Sequence, residues 1–249
     1  MTDTPRNQRQ EGELITGQEE PAVRVVDVTM DFAGGVRALE DVSFALPKGE
    51  LTSIIGPSGC GKTTTLKIIA GLIQPTSGDV LVDGSPVLGP GPERAMVFQD
   101  FALMPWATVL RNAAFGLELR GVSRKEREAT AREYIAKMNL TGFEDHYPHQ
   151  LSGGMRQRVG LARALAVDAD ILLMDEPFAS VDEQIRRKFQ EDLLELLSGE
   201  HTTVIFVTHS IEEAVYVSDQ VVIMSRGPGR VSNVVRPGID REGGSDQIR

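Results

Sequence analysis

Short runs of β-branched and aliphatic residues alternate along most of the chain with longer stretches of helical periodicity. The apolar runs predict strands at residues 23–28, 51–55, 80–82, 95–98, 171–174, 203–207 and 221–224. Several of these runs are apolar at nearly every position, which is typical of strands covered on both faces. Because helical stretches separate them, the pattern predicts a layered α/β fold.

The stretch from about residue 100 to 165 interrupts this alternation, because it contains helix signals and no run that resembles a strand. Ser123 followed by Glu126 has the spacing of a capping box, which predicts a helix that begins there. The same spacing recurs at Ser210 and Glu213. We therefore expect the stretch from about residue 100 to 165 to form an inserted helical subdomain.

Composition and charge exclude several classes of protein. The 249 residues include 26 Lys and Arg against 36 Asp and Glu, a net charge of −10, which argues against a general nucleic-acid binder. No apolar run approaches the roughly 18 residues that cross a bilayer, and the N-terminus has no apolar signal segment. Cys60 is the single cysteine, so no internal disulfide forms and we expect a cytosolic location.

A glycine-rich motif lies between a predicted strand and a predicted helix. Residues 56–63 read Gly-Pro-Ser-Gly-Cys-Gly-Lys-Thr, which matches the G-x4-G-K-[ST] phosphate loop in the required context. Its backbone N–H groups and the following helix N-terminus would cradle a polyphosphate. Lys62 would reach the β- and γ-phosphates, and the hydroxyl of Thr63 would bind Mg²⁺.

Two carboxylates follow the apolar strand at residues 171–174. Asp175 and Glu176 come at the end of a strand that is expected to be buried. Because burial of an unpaired charge costs free energy, we expect a metal or phosphate partner there. Asp175 suits the Mg²⁺ shell. Glu176 suits the general base that orients or deprotonates an attacking water.

A second glycine motif precedes a predicted helix. Residues 151–158, called here the signature segment, read Leu-Ser-Gly-Gly-Met-Arg-Gln-Arg. Ser152, Gly153 and Gly154 form a second anion receptor, and one nucleotide does not need two such cradles. At this point the sequence resembles the ATP-binding cassette (ABC) ATPases, in which such a segment completes the site of the opposite subunit in a head-to-tail dimer.

The resemblance implies further site residues. Gln99 matches the glutamine that joins the Mg²⁺ region to the helical subdomain, Asp182 lies in the loop after Glu176, and His209 matches the switch histidine that contacts the γ-phosphate. Phe32 stands in the place of the aromatic residue that stacks on adenine, although it could equally be a core residue. The implied nucleotide-binding set is Phe32, Gly56, Pro57, Ser58, Gly59, Cys60, Gly61, Lys62, Thr63, Thr64, Ser152, Gly153, Gly154 and Asp182.

The fold that the resemblance implies is an α/β, RecA-like P-loop NTPase core with an N-terminal antiparallel β subdomain and an inserted α-helical subdomain. Residues 1–20 are expected to be a flexible N-terminal segment and residues 236–249 a loose tail. The nucleotide-binding core takes residues 21–98 and 166–235, and the helical subdomain takes residues 99–165. Two ATP molecules with Mg²⁺ would lie between two such chains.

The branch of the family is indicated by the run Phe-Ala-Leu-Met-Pro-Trp at residues 101–106 and by Ser-Arg-Gly-Pro-Gly-Arg at 225–230. Both resemble the ATPase subunits of nitrate, sulfonate and taurine importers. The resemblance implies transmembrane permease subunits, an extracytoplasmic solute-binding protein and a peripheral place at the cytoplasmic face of the membrane. A cassette ATPase that serves a soluble assembly or a lipid-trafficking machine is the alternative.

Overall fold

The structure, a computed structural model, describes residues 20–178, 183–197 and 202–238. The strands are β1 (Val23–Phe32), β2 (Val36–Leu46), β3 (Leu51–Ile55), β4 (Ser77–Val82), β5 (Ser85–Pro86), β6 (Arg94–Val97), β7 (Ile171–Asp175), β8 (Thr203–Thr208), β9 (Gln220–Met224) and β10 (Val231–Val235). The helices are α1 (Lys62–Ile69), α2 (Val109–Leu119), α3 (Arg124–Lys137), α4 (Gly153–Leu165), α5 (Glu183–Leu197) and α6 (Ile211–Val217), with a 3-10 turn at Pro148–Gln150. Within these residues no helix is both long enough and apolar enough to cross a membrane.

The strands form two sheets. The larger has the order β10-β9-β3-β8-β7-β6 and is parallel except for β10, whereas the smaller is antiparallel with the order β2-β1-β4-β5. In the larger sheet β8 lies between β3 and β7, so that Ile55 pairs with Thr208 and Asp175 pairs with Val207. The carboxyl ends of these three strands therefore meet at one edge.

The larger sheet is buried on both faces, as the continuous apolar runs predict. Along β7, Leu172 and Met174 join a core that includes residues of α2, α3, α4 and α5, whereas Ile171 and Leu173 join a second core with α1 and the smaller sheet. Successive side chains of a strand point to opposite faces, so one strand contributes to both cores. The α/β fold class predicted from the sequence is confirmed.

The helix caps explain where α3 and α6 begin. The hydroxyl of Ser123 accepts from the backbone N–H of Glu126 and donates to its carboxylate at 2.6 Å, so the serine caps α3 while the carboxylate bonds this hydroxyl rather than the backbone N–H of Ser123. Ser210 also accepts from the backbone of Glu213, at 3.2 Å, but the carboxylate of Glu213 accepts from Thr208 instead. The second capping box is therefore half formed, because β8 supplies a competing donor.

Apart from the two-residue β5, two strands have no counterpart in the sequence prediction. The pattern of β2 is broken at its centre by Glu40 and Asp41, and Asp41 has a positive φ of 49° where the pairing with β1 shifts register. A bulge of this kind interrupts the strict alternation that marks a strand. The other strand, β10, is exposed at four of its five positions, because it pairs only along one edge, and an exposed edge strand carries no apolar pattern.

Candidate nucleotide site

The loops that follow β3, β7 and β8 lie side by side at one edge of the larger sheet. Residues 56–61 follow β3, Glu176 follows β7 and His209 follows β8. In open parallel sheets this edge is where ligands bind. Strand order thus brings the phosphate loop together with two residues that follow it in the chain by more than a hundred positions.

The phosphate loop has the backbone conformation that its glycines permit. Gly59 and Gly61 have φ values of 79° and 93°, and the N–H of Cys60 donates to the carbonyl of Pro57 at 3.2 Å. A Cβ at Gly61 would overlap the side chain of Leu39, so the loop is also packed closely on β2. Helix α1 begins directly after this turn, and the N–H groups of its first turn have no acceptor within the helix.

The side chain of Lys62 lies within the phosphate loop, whereas that of Cys60 lies in the hydrophobic core. The ammonium of Lys62 is buried in the loop, where it donates to the carbonyls of Gly56 at 2.8 Å and Pro57 at 3.4 Å. Cys60 is fully buried and belongs to the core formed with the smaller sheet. Of the two, Lys62 has a side chain that can face a phosphate, and Cys60 can contribute only its backbone.

Thr63 and Asp175 meet across the two strands. The Thr63 hydroxyl donates to Asp175 Oδ1 at 3.0 Å, and Asp175 is 4% exposed. Burial raises the pKa of Asp175, the hydrogen bond from Thr63 lowers that pKa, and the neighbouring charge of Glu176 raises it again. A hydroxyl and a carboxylate oxygen at this spacing are hard donors that suit Mg²⁺. Among the described residues no cluster of three or more His, Cys, Asp or Glu side chains could hold a metal alone, so further ligands would come from phosphate and water.

Glu176 and His209 face each other at the ends of β7 and β8. Nδ1 of His209 lies 3.4 Å from Oε2 of Glu176, and the N–H of Glu176 donates to the carbonyl of Val207 at 3.0 Å. Glu176 has a φ of 46°, an uncommon value outside glycine that often marks a functional position. Both residues line a cavity of about 50 Å³, which is large enough for water.

The turn between β9 and β10 packs directly against the phosphate loop, which the sequence analysis did not predict. A Cβ at Gly229 would overlap the carbonyl oxygen of Cys60, and a Cβ at Gly56 would lie 2.7 Å from the carbonyl oxygen of Met224. Gly229 also donates to the carbonyl of Ala38 and accepts from Glu40. The density of glycine in residues 225–230 was the available signal, since close backbone approach requires it.

The signature segment lies on another layer of the molecule. Its helix, α4, packs on α2, α3 and β6, whereas α1 packs on β2, β7 and β8. Ser152 is exposed, and its hydroxyl caps α4 by accepting from the N–H of Met155 at 3.2 Å. Gly153 and Gly154 form the first turn of this helix. Within one chain, the phosphate loop and the signature segment therefore precede helices that pack on different parts of the fold.

Three further residues were predicted for the site: Gln99, Phe32 and Asp182. Gln99 is exposed and lies two residues beyond the end of β6; within the described part of the chain it makes no hydrogen bond to Thr63 or Asp175. Phe32 ends β1 and is 42% exposed. Asp182 lies outside the described residues.

Comparison with known proteins identifies the family. The sequence model of the ABC transporter family matches residues 39–179, which is more than half of the chain. The chain belongs to the ABC transporter family. An uncharacterised ABC transporter ATP-binding protein of Methanocaldococcus jannaschii is 52% identical over 206 residues, which cover 83% of this chain and 77% of that protein. The taurine import ATP-binding protein TauB of Burkholderia pseudomallei is 49% identical over 207 residues, with 83% and 79% coverage.

A solved structure extends the comparison to the cassette fold. The dimeric, post-hydrolysis structure of the ATP-binding cassette MJ0796, bound to ADP and Pi, has a TM-score of 0.78 and 32% identity, and the match covers 88% of this chain and 100% of that one. The present chain is therefore an ATPase subunit of a transporter that binds ATP and ADP, and it has the RecA-like P-loop fold of its family. The predicted enzyme class is confirmed.

Proposed function

We propose that this cassette powers an ABC importer that takes up a small anion or organic solute of the nitrate, sulfonate or taurine type through a separate permease. The identity of 49% to a taurine import ATPase supports the importer branch. An extracytoplasmic solute-binding protein would deliver the solute. The cassette would lie peripherally at the cytoplasmic face of the membrane and would bind no nucleic acid. Residues 99–165 would move as a helical subdomain relative to the core at 21–98 and 166–235.

Nucleotide binding rests on the phosphate loop and α1. The backbone N–H groups of Gly56, Ser58, Gly59, Cys60 and Gly61, in the loop that also contains Pro57, would hold the phosphates together with the first turn of α1 at Lys62, Thr63 and Thr64. The ammonium of Lys62, which bonds two loop carbonyls only 2.8 and 3.4 Å away, would exchange these for β- and γ-phosphate oxygens. The adenine would stack on Phe32, whose ring is partly exposed.

Thr63, Asp175 and Gln99 would hold Mg²⁺ through oxygen atoms. The pair of Thr63 and Asp175 at 3.0 Å supports this assignment, as does the burial of Asp175, because a buried carboxylate is stabilised by a cation. When bound, the metal neutralises charge on the phosphate oxygens. Gln99 would approach from the segment that connects β6 to α2.

Hydrolysis would depend on Glu176 and His209. Glu176 would orient or deprotonate the attacking water, and the cavity that it lines with His209 has room for that water. His209, 3.4 Å from Glu176, would orient this carboxylate and donate to the γ-phosphate. Glu176 and His209 follow two adjacent strands, which supports a base and a donor that would act on the same phosphate when the site closes.

The second half of each site would come from a second copy of the chain. Ser152, Gly153 and Gly154 of the partner copy would face the γ-phosphate across a head-to-tail homodimer, with Asp182 in the loop that joins the two sites. This arrangement is favoured because α1 and α4 pack on different elements of the same chain. ATP would close the dimer and hydrolysis would reopen it, because the two forms differ in affinity for nucleotide.

The observation that carries the coupling to a permease is the loop before α2. Trp106 is 71% exposed, and the preceding Pro105 is also exposed. The loop is not loose, because the fully buried Asn112 accepts from the N–H of Met104 and donates to its carbonyl. The same amide donates to the carbonyls of residues 107 and 108. A rigid loop that presents an exposed tryptophan is suited to an interface.

The test is a pull-down of tagged Glu176→Gln protein with Mg-ATP from detergent-solubilised native membranes, with partners identified by mass spectrometry. We expect a multi-span permease, and its associated binding protein would name the solute class. Trp106→Ser in the same background should reduce recovery of the permease by about tenfold. The control is Leu88→Ser, which changes another exposed apolar residue, 86% exposed, and should leave recovery unchanged.

The alternative function is that of a cassette ATPase for a soluble assembly or lipid-trafficking machine. Recovery of only soluble assembly proteins, with ATPase activity intact in the wild type, would favour it and overturn the importer proposal. Equal loss of permease in Trp106→Ser and Leu88→Ser would contradict the role of Trp106.

A further inference from the structure

The segment after Gln99 has an unfavourable backbone. Phe101 and Ala102 have φ values of 61° and 42°, so two consecutive residues other than glycine lie in the left-handed region. Such residues raise the conformational energy of the chain because Cβ crowds the carbonyl oxygen. Phe101 is buried, but Ala102 is exposed. Two local hydrogen bonds, from Phe101 N–H to the carbonyl of Phe98 and from Ala102 N–H to Asp100 Oδ1, support this shape, and contacts from outside the segment add to them.

Arg163 of α4 bonds to both of these residues through their carbonyl oxygens. Its Nη2 donates to Phe101 and its Nη1 donates to Ala102, each at 2.7 Å. The guanidinium is planar and presents its donors as a rigid fork, so it fixes the relative position of two acceptors. Burial lowers the pKa of Arg163, and the charge of Asp100 opposes this shift. A desolvated guanidinium makes stronger hydrogen bonds than an exposed one.

The surface of α4 is also shaped for this segment. At Gly160, one turn before Arg163, a Cβ would lie 3.5 Å from the Cβ of Phe101, so the loop rests directly on the helix backbone. The same helix begins at the signature segment with Gly153. Ten residues of α-helix span about 15 Å. One rigid helix therefore carries the signature motif at its first turn and contacts the Gln99 segment near its end.

We propose that Arg163 is a positioning residue that holds the Gln99 segment on α4, so that the signature segment and Gln99 move as one unit. The inference rests on the proposed roles of Gln99 and Ser152. Closing of the partner's site by α4 would thereby set the approach of Gln99 in its own site. The guanidinium donates to the two carbonyls, and the charge of Asp100 also acts on it.

The test begins with Arg163→Met, which keeps an unbranched apolar stem and removes the guanidinium with both of its donors. We expect kcat for ATP to fall by about tenfold or more, while the Kd of the monomer for ATP stays within about twofold, because the phosphate loop is untouched. Arg124→Met is the matched control: it removes an exposed arginine from the neighbouring helix α3, where its guanidinium pairs with the half-buried Glu128. This control should leave kcat unchanged.

A rescue experiment separates positioning from a purely structural role. Ala102→Gly costs no buried contact and lets residue 102 take the left-handed conformation without strain. Added to Arg163→Met, it should restore kcat by about threefold or more. Arg163→Lys, with one point charge instead of a fork, should lie between the wild type and Arg163→Met. If Ala102→Gly restores nothing, or if Arg163→Met leaves kcat at the wild-type value, the proposal is overturned.

Amide hydrogen exchange gives a readout that does not need activity. In Arg163→Met, peptides that cover residues 99–103 should exchange faster, whereas peptides of β7 should not change. Unchanged exchange in residues 99–103 would overturn the proposal. Failure of the permease pull-down with normal ATPase activity would instead contradict only the importer function, so the two failures are distinguishable.

Discussion

The phosphate loop and the helices α2–α4 are attached to the larger sheet in different ways. The loop is held by backbone against backbone: Gly229 packs on the carbonyl of Cys60, and Gly56 packs on the carbonyl of Met224. The helices are held partly by an arginine side chain that reaches to carbonyls of the core. Arg120, at the end of α2, donates to the carbonyls of Pro92 and Val167.

This difference indicates which half of the site can move. Backbone contacts without side chains have no rotamers to change, so the phosphate loop is fixed relative to the sheet. Hydrogen bonds from long side chains can be exchanged for others as a rigid body turns. We therefore expect substitutions near the loop to change nucleotide affinity and substitutions on α4 to change turnover.

The largest expected effect is that of Ser152→Arg on turnover. The added side chain would occupy the place of the partner's γ-phosphate, so ATPase activity should fall by about 1,000-fold. The monomer should still bind ATP with its wild-type affinity, because Ser152 lies at the start of α4, which packs on other elements than α1 does. Equilibrium titration with a fluorescent ATP analogue and a steady-state ATPase assay check both parts; a Kd raised in step with the loss of activity would contradict the separation.

Lys62→Ala should produce the opposite result. Removing the ammonium should raise the Kd for ATP by about 100-fold, because no other described side chain in residues 56–63 is cationic. The titration used for Ser152→Arg measures this. A monomer that binds ATP normally without Lys62 would show that the lysine serves only the loop carbonyls.

Gly229→Ala tests the backbone contact behind the loop. Its Cβ would overlap the carbonyl of Cys60, so the phosphate loop should shift and the Kd for ATP should rise by about tenfold. Gly89→Ala is the matched control, because a Cβ there meets no atom within 4 Å. Thermal unfolding shows whether each variant folds. A folded Gly229→Ala protein with wild-type affinity would mean that the turn does not position the loop.

The smallest expected effect is one on stability, and it concerns Asp175. Because burial raises the pKa of this carboxyl above 3.8, its charge destabilises the nucleotide-free fold as pH rises through the raised pKa, and this penalty is absent below 3.8. Asp175→Asn should therefore raise the Tm at pH 7 by about 2–4 °C, with no gain at low pH, while activity is lost. Scanning calorimetry with a chelator measures this, and the exposed Asp145→Asn serves as control. A lower Tm at pH 7 would contradict the account.

The sequence predicted what short motifs and apolar runs can encode. The bounds of β3 matched the run at residues 51–55, and the phosphate loop, Asp175 and Glu176 fell at strand ends as expected. Strand order could not be read from any run, yet it is what brings His209 to within 3.4 Å of Glu176. The contact between Gly229 and Cys60 was equally hidden, because it joins residues far apart in the chain through backbone atoms alone.

Side chains that bond to carbonyls were the least predictable. Arg163 lies on a helix that the sequence predicted, but its partners are backbone atoms, and any residue type supplies a carbonyl. The left-handed conformation of Phe101 and Ala102 has no signal in their residue types, since glycine or asparagine would be expected there. Such strain is visible only once the surrounding contacts are known.

The central claim is that each ATP site takes its phosphate loop from one chain and its signature segment from another. Mixing Lys62→Ala protein with Ser152→Arg protein tests it directly, because a mixed dimer would contain one site with both halves intact. We expect ATPase activity to appear on mixing, well above the sum of the two separate variants. Activity that does not exceed that sum, with mixed dimers detected by cross-linking, would contradict the account.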